Sequence, residues 1–181
     1  MDVKKNYLPL EKFEFLKNSL RNHWFPWGFV PFQVLRENSP KTAEEHQKNE
    51  FYSSPDINDW HLTHLAFDGV QESEHRPIFD DLVYSLTPKN IYRVKANLLL
   101  PNGEHTKSSF HTDIEGHESI PDTAKVRIFY LNTCNGYTEL EDGTKINCEE
   151  NKLITIGANI KHSAVRQTDT KTRYVINIVW A

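Results

Sequence analysis

The chain has 181 residues, of which 38% are hydrophobic, 12% aromatic and 25% charged, and its formal net charge is −4. This is the composition of a globular protein with enough large side chains for one core, so we expect a single domain over residues 1–181. The negative charge and the scattered basic residues argue against a nucleic-acid partner. No run approaches the roughly 18 apolar residues of a membrane span, and no apolar signal segment follows the first lysines, so we expect a cytoplasmic protein with no membrane partner.

The first half of the chain, residues 1–90, predicts a helical and irregular support. Its elements are, in order, a helix over 11–22, an irregular packed aromatic segment over 23–32, a polar helix or loop over 39–51, a strand over 60–68 and a helix over 76–86. Phe13, Leu16 and Leu20 recur at helical spacing and define one face of the first helix. Pro77 suits the first turn of the last helix.

The second half, residues 91–181, is rich in strand-forming residues. Strands are predicted over 92–100, 124–132, 136–146, 151–157 and 172–180. Asp142-Gly143 predicts the two-residue type I′ turn of a hairpin, and Cys134 and Cys148 flank that hairpin, where we expect reduced thiols. Helices followed by a run of strands are typical of a mainly β, jelly-roll fold with flanking helices.

The last predicted strand carries polar residues on an otherwise apolar face. One face presents Arg173, Val175, Asn177 and Val179, and the other presents Tyr174, Ile176, Ile178 and Trp180. Burying a guanidinium without a partner costs several kcal/mol, so a core position for Arg173 needs an explanation. Arg173 therefore either lies at the rim, in water or paired with Asp169 or Glu150, or faces a buried anion.

The stretch FHTDIEG, residues 110–116, places His111 and Asp113 two positions apart, and His162 follows the strand predicted over 151–157. By themselves, His111 and Asp113 can be a hydrogen-bonded pair at a strand end. Two imidazoles and one carboxylate are also the facial triad that holds Fe(II) in non-heme oxygenases and leaves positions open for an oxo acid and O2. Asp113 lies just beyond a strand, so we expect it to contribute little to the core.

The order of His111, Asp113, His162 and Arg173 resembles the 2-oxoglutarate- and Fe(II)-dependent dioxygenases, in particular their prolyl-4-hydroxylase-like branch. The stretches similar to that family are RIFYLNTCNGYTELEDGTKI between its metal-binding segments, NKLITIGANIKH before its distal histidine and TRYVINIVW as its closing arginine strand. With VKANLLL upstream, the resemblance covers roughly residues 91–180. HWFPWGFVPF and WHLTHLAFD resemble, more loosely, small oxygenases of phages and marine bacteria.

The resemblance implies a double-stranded β-helix, a jelly-roll variant, that uses Fe(II), 2-oxoglutarate and O2. It assigns the metal to His111, Asp113 and His162, and the 2-oxoglutarate to Arg173, Tyr130 and Asn97. It places His162 on the sheet opposite the other two ligands, and Arg173 on the distal carboxylate of 2-oxoglutarate. The implied activity is hydroxylation of an unidentified substrate, which is a prolyl or other amino-acid residue of a protein or peptide, or a small molecule.

Two other functions stay open at this point. A non-catalytic, cupin-like jelly roll that binds a metal or ligand would explain the histidines but would not require Arg173. A nucleic-acid demethylase of the same superfamily would need a basic groove, against which the acidic balance argues. His61 and His64 fall on opposite faces of their predicted strand, which argues against joint metal binding. Segments 39–56 and 101–122 are predicted to flank the mouth of the site and to carry its specificity, and the oligomeric state is left open.

Overall fold

The computed structural model describes residues 1–30, 60–114, 120–121 and 123–181. The elements in these ranges are β1 (Asp2–Lys4), α1 (Leu10–Arg21), β2 (Gly28–Val30), β3 (His61–Phe67), a 3-10 turn (Arg76–Phe79), α2 (Asp80–Tyr84), β4 (Ile91–Leu99), β5 (Lys125–Tyr130), β6 (Tyr137–Leu140), β7 (Lys145–Asn147), β8 (Lys152–Gly157), β9 (His162–Val165) and β10 (Arg173–Trp180). The polar segment predicted over 39–51 lies outside the described residues. No described helix is long and apolar enough to cross a membrane.

The strands form two antiparallel sheets that lie face to face. The larger sheet has seven strands in the order β1-β8-β5-β10-β4-β3-β2, and the smaller has three in the order β7-β6-β9. Neighbours in the larger sheet are mostly distant in sequence, which is the connectivity of a jelly roll rather than of a meander. The fold is a double-stranded β-helix with flanking helices, as predicted.

Helix α1 covers the outer face of the larger sheet. Phe13, Leu16 and Leu20 are its buried residues, as their spacing predicts, while Glu11 in the first turn and Arg21 in the last complement the helix dipole. The three apolar side chains join a cluster with residues of β4, β5, β8 and β10. This layer closes one side of the sheet, so the opposite side is left to form the interior between the two sheets.

Strand β10 alternates between these two environments, and both of its predicted faces are confirmed. Ile176 and Ile178 pack in the outer cluster with the helix. Val175 and Val179 pack in the second cluster, between the two sheets, where Ile146 of β7 and Leu140 of β6 meet the larger sheet. Arg173 and Asn177 share the face of these valines and line a cavity in the same interior.

The hairpin predicted at Asp142-Gly143 is present, but its turn type is different. Glu139 pairs with Lys145, and the Leu140 N–H donates to the Thr144 carbonyl at 2.9 Å, so the loop has three residues. Among the described residues of the loop only Gly143 has a positive φ, of 87°, whereas a type I′ turn needs two such residues. The structure is therefore a turn closed by a left-handed glycine, and Asp142 instead accepts a hydrogen bond from the Thr144 N–H at 2.9 Å.

Several short elements differ from the prediction. Strands β1, β2 and β9 have three or four residues each and were not predicted. The helix predicted over 76–86 divides into the 3-10 turn and α2. In the aromatic segment Phe25 is buried as expected, but Trp24 is 82% exposed, and residues 31–32 lie outside the described ranges. Cys134 and Cys148 are free and buried, and their main chains are hydrogen-bonded, with the Cys134 N–H donating to the Cys148 carbonyl at 3.2 Å.

Candidate metal centre

The two histidines of the predicted triad are directly paired through their main chains. The His111 N–H donates to the His162 carbonyl at 3.1 Å, and the His162 N–H donates back to the His111 carbonyl at 3.0 Å. A second bridge joins Lys107 to Val165, so the chain before His111 runs along β9. The prediction that His162 lies on the sheet opposite His111 is therefore wrong, because both belong to the smaller-sheet side of the interior.

The rings of these histidines are held in the orientation that a metal ligand requires. The Nδ1 atom of His111 lies 3.2 Å from the Ser109 carbonyl, and the Nδ1 of His162 lies 3.1 Å from the Ile160 carbonyl. A carbonyl can only accept, so each contact places the hydrogen on Nδ1 and leaves the lone pair on Nε2. The ring centroids are 4.7 Å apart, so both rings face the same region.

Asp113 completes a cluster with both histidines. One ligand atom from each of the three residues lies within 4.8 Å of the others. Asp113 Oδ2 and His162 Nε2 are buried, lie 3.4 Å apart and have no hydrogen-bond partner in the described part of the chain. Leaving a buried polar atom unsatisfied costs about 1–3 kcal/mol, and a divalent cation bonded at about 2.0–2.2 Å would satisfy both atoms. The cluster therefore fits a metal ion.

The charge of Asp113 is stabilised before any metal binds. Its side chain is 6% exposed and forms an ion pair with Arg93 of β4. Burial acts to raise the pKa of Asp113, but the Arg93 guanidinium and the two imidazoles outweigh it and hold the pKa at about 2. Burial and the neighbouring His162 also lower the pKa of His111, which favours its neutral, metal-binding form. The expectation that Asp113 contributes little to the core is wrong, because its carboxylate is buried and paired.

Arg173 lies in the interior and not at the rim. Its side chain is 1% exposed, and it donates to the Val165 carbonyl at 3.1 Å and to Thr138 Oγ1 at 3.3 Å. Neither acceptor is charged, and Arg173 has no ion pair with a described residue, so pairing with Asp169 or Glu150 is excluded. The guanidinium lines the same cavity as the histidines and Asp113. Arg173 is therefore a buried cation with no carboxylate partner among the described residues.

Tyr130 and Asn97 differ in their relation to this cavity. Tyr130 is fully buried, its ring centroid is 5.7 Å from the guanidinium carbon of Arg173, and its hydroxyl donates to Thr138 Oγ1 at 2.7 Å. Thr138, not Tyr130, lines the cavity at this point. Asn97 does line the cavity, beside Thr63, whose hydroxyl lies 3.5 Å from Asn97 Oδ1. A contact of Tyr130 with 2-oxoglutarate stays a prediction.

Three residues of the site were not predicted. Thr138 Oγ1 accepts hydrogen bonds from Tyr130 and Arg173, so its own hydrogen is left to donate into the cavity. Gly136 lies so close to Arg173 that an added Cβ would be 3.1 Å from Arg173 Cδ and 3.0 Å from Val165 O. Lys95 lines the cavity from β4. Of these three, only Lys95 could have been predicted from the sequence, because it shares one face of β4 with the candidate residue Asn97.

The remaining predicted histidines and loops are placed as follows. His61 lines the cavity and His64 stacks on Phe79 on the other side of the sheet, so the prediction of opposite faces is confirmed. His105 contacts the Arg166 carbonyl at 2.7 Å through Nδ1. Segment 39–56 lies outside the described residues, as do 115–119 and 122 of the loop over 101–122.

Comparison with known proteins identifies the class of fold. No protein-family model and no curated protein matches the chain. A prolyl hydroxylase from Trichoplax adhaerens, solved with a peptide fragment of the hypoxia-inducible-factor oxygen degradation domain, is 12% identical with a TM-score of 0.65, covering 99% of this chain and 82% of that one. An oxidoreductase of the 2OG-Fe(II) oxygenase family from Burkholderia pseudomallei is 13% identical with a TM-score of 0.58, covering 95% and 78%.

A third solved structure, a prolyl-4-hydroxylase from Pseudomonas putida, is 11% identical with a TM-score of 0.56, covering 99% of this chain and 90% of that one. The chain thus has the fold of the 2-oxoglutarate- and Fe(II)-dependent oxygenases. At these identities the likeness establishes the fold and not the activity.

Proposed function

We propose that the chain is an Fe(II)- and 2-oxoglutarate-dependent dioxygenase that hydroxylates its substrate. The observation that carries this proposal is one interior cavity with two complementary features. At one place three metal-binding side chains converge with unsatisfied ligand atoms, and at another a buried guanidinium donates to two neutral oxygens and has no carboxylate partner among the described residues. A divalent metal and a dicarboxylate satisfy both features at once, whereas a metal alone leaves Arg173 without a carboxylate.

In this proposal His111, Asp113 and His162 hold the metal, and His111 and His162 bind through Nε2. Bound Fe(II), with 2-oxoglutarate and O2, would supply oxidation of a C–H bond coupled to decarboxylation of the cosubstrate to succinate. The Ser109 and Ile160 carbonyls keep the two imidazoles oriented. The main-chain hydrogen bonds between His111 and His162 hold these two ligands side by side.

Arg173 binds the distal carboxylate of 2-oxoglutarate through the paired N–H groups of its guanidinium. Thr138 adds a hydroxyl donor to the same carboxylate, and Tyr130 orients Thr138 or reaches the carboxylate itself. Asn97 supplies an amide to the middle of the cavity. The face of Val175 and Ile128 supplies apolar contact for the methylene groups of the cosubstrate and excludes water from it.

The substrate is a residue of a protein or peptide, prolyl or other, or a small molecule. The Trichoplax prolyl hydroxylase binds a peptide, which supports a peptide or protein partner for this fold. The whole chain, residues 1–181, would act as one catalytic domain.

The test is an anaerobic titration of 2-oxoglutarate into the Fe(II)-loaded protein, followed by its metal-to-ligand absorption band, and then a succinate assay in air. We expect a saturable band and succinate above the metal-free control. His162→Ala should lose both, while His105→Ala, a histidine that contacts the Arg166 carbonyl, should keep both. A cupin-like binding module would bind the metal but give neither the band nor succinate, and that result would refute the proposal.

A further inference from the structure

Lys95 lies where the metal cavity meets a second, wider cleft. The cavity is lined by Lys95 together with the metal cluster and Arg173. The cleft is lined by Lys95 and Arg93 of β4, by Thr63 and Leu65 of β3, and by Ile120. Because the Lys95 side chain lines both the cavity and the cleft, a substrate that enters the metal cavity from the cleft would pass beside Lys95.

Within residues 1–30, 60–114, 120–121 and 123–181, the ammonium group of Lys95 has no partner of its own. It makes no hydrogen bond or ion pair with any described residue. Asp113 is the one acidic side chain among the described residues that line the cavity, and it is already paired with Arg93. Asp68, on the outer wall of the cleft, is exposed and accepts from the Val70 and Gln71 N–H groups at 2.9 and 2.7 Å. Burial, reinforced by the charge of Arg93, lowers the pKa of Lys95 to about 8.

The charges of the site do not balance even when metal and cosubstrate are bound. Among the described residues that line the cavity and the cleft, Arg93, Lys95 and Arg173 are opposed by the carboxylates of Asp113 and of the exposed Asp68, which leaves a surplus of one positive charge. A divalent metal and the two carboxylates of 2-oxoglutarate cancel one another, so the surplus persists. Uncompensated charge in a water-poor site is costly, and a neutral substrate such as a prolyl ring does not relieve it.

The cosubstrate does not account for Lys95. In the sheet Arg173 pairs with Leu99 whereas Asn177 pairs with Lys95, so the two cations are four residues apart along β10, about 13 Å at the usual rise of a strand. Lys95 acts electrostatically on Asp113 and His111, whereas the electrostatic partners of Arg173 are Cys148, Tyr130 and Cys134. Lys95 thus lies close to the metal cluster and about 13 Å along the sheet from the residue that binds the proposed 2-oxoglutarate carboxylate.

We propose that the primary substrate carries an anionic group, a carboxylate or a phosphate, that binds to Lys95 at the junction of the cavity and the cleft, with Arg93 beside it. This inference rests on the proposed oxygenase function and narrows its substrate class. Since Lys95 adjoins the metal cluster, the oxidised carbon lies only a few atoms from the anionic group. A charge-assisted hydrogen bond to the Lys95 ammonium anchors the substrate and compensates its charge.

The test uses simple anions and a paramagnetic metal. Protein in excess is loaded with Mn(II) and saturated with 2-oxoglutarate, and the NMR relaxation of inorganic phosphate (³¹P) and of acetate (¹H) is followed. Acetamide is the neutral isostere of acetate. The wild type should enhance relaxation of phosphate, acetate or both in a saturable manner, and which of them responds separates the two anion classes. Lys95→Met should weaken the apparent affinity by about tenfold or more.

The matched control is Lys125→Met, because Lys125 stacks over Trp180 and does not line the cavity. It should behave as the wild type. Equal affinity in Lys95→Met, no saturable enhancement in the wild type, or an equal response to acetamide would each overturn the inference. The Fe(II) absorption band is recorded first: its absence contradicts the oxygenase function itself, whereas a band without anion binding contradicts only the role of Lys95.

Discussion

Removal of the Arg173 side chain should weaken 2-oxoglutarate binding far more than metal binding. The guanidinium is 1% exposed, and its described acceptors are the neutral Val165 carbonyl and Thr138 hydroxyl. A charge-assisted, paired contact to a carboxylate is worth about 1.5–3 kcal/mol net, which corresponds to an increase of about 10- to 150-fold in the dissociation constant. Arg173→Lys should recover part of this loss, because lysine keeps the charge but not the planar fork.

The assay titrates 2-oxoglutarate into oxygen-free, Fe(II)-loaded wild type, Arg173→Ala and Arg173→Lys, and measures Fe(II) affinity separately. Arg127→Ala is the matched control, since Arg127 also belongs to the larger sheet but stacks on Trp180 at 4.1 Å. Thermal melting of each variant confirms that it is folded. Equal 2-oxoglutarate affinities in wild type and both Arg173 variants would refute the assignment of the cavity to a dicarboxylate.

Three further predictions concern the charges and the packing of the site. Asp113→Asn should abolish succinate formation. It should also lower the unfolding free energy of the metal-free protein, measured in urea at pH 7, by about 2 kcal/mol. Since the pKa of Asp113 is about 2 in the folded protein, against an ordinary 3.8, this difference should shrink as the pH falls below about 4. Lys95→Met should instead stabilise the metal-free protein at pH 7 by up to about 3 kcal/mol and so raise its melting temperature. Because the pKa of Lys95 is about 8 in the folded protein, against an ordinary 10.5, the stability difference between Lys95→Met and the wild type should fade as the pH rises above 8. Gly136→Ala should weaken 2-oxoglutarate binding in the same titration, because its Cβ would be 3.1 Å from Arg173 Cδ.

Each of these predictions has a contrary result. A pH-independent difference for Asp113→Asn would mean that the carboxylate is not stabilised by its neighbours. A lower melting temperature for Lys95→Met would mean that the ammonium already has a partner in the fold. Gly136→Ala with unchanged cosubstrate affinity would mean that Arg173 can move without loss. Gly28→Ala is the control, because an added Cβ there makes only an ordinary contact of 3.5 Å with the Thr63 carbonyl and φ, as at Gly136, is not positive.

The sequence predicts the long elements because their periodicity reports burial directly. Phe13, Leu16 and Leu20 mark the buried face of α1, and the alternation in β10 separates its two faces correctly. Strands of three or four residues, such as β9, are too short to show a period. Their existence depends on pairing with residues far away in the sequence, as in the bridge between His111 and His162.

The errors in the site have the same origin. Asp113 follows a strand and reads as a surface residue, yet Arg93, twenty positions earlier, pairs with it in the interior. The roles of Thr138 and Tyr130 depend on which of two strands in facing sheets, β6 or β5, brings its hydroxyl to the cavity. Local sequence contains no information about which hydroxyl reaches the cavity. By contrast, the identity of the possible metal ligands and their order along the chain can be read from the sequence directly.

The main-chain pairing of His111 and His162 has a consequence for metal selection in the cell. Because two hydrogen bonds of 3.0–3.1 Å join the backbones of both ligands, the histidine pair is already assembled in the metal-free protein, whichever ion binds. Binding strength at such an N- and O-donor site follows the general order for divalent ions, in which Ni(II), Cu(II) and Zn(II) exceed Fe(II). Under the proposed function, iron would therefore reach the site through the relative abundance of free metals where the protein folds, and binding of another metal during overexpression would be the expected mode of inactivation.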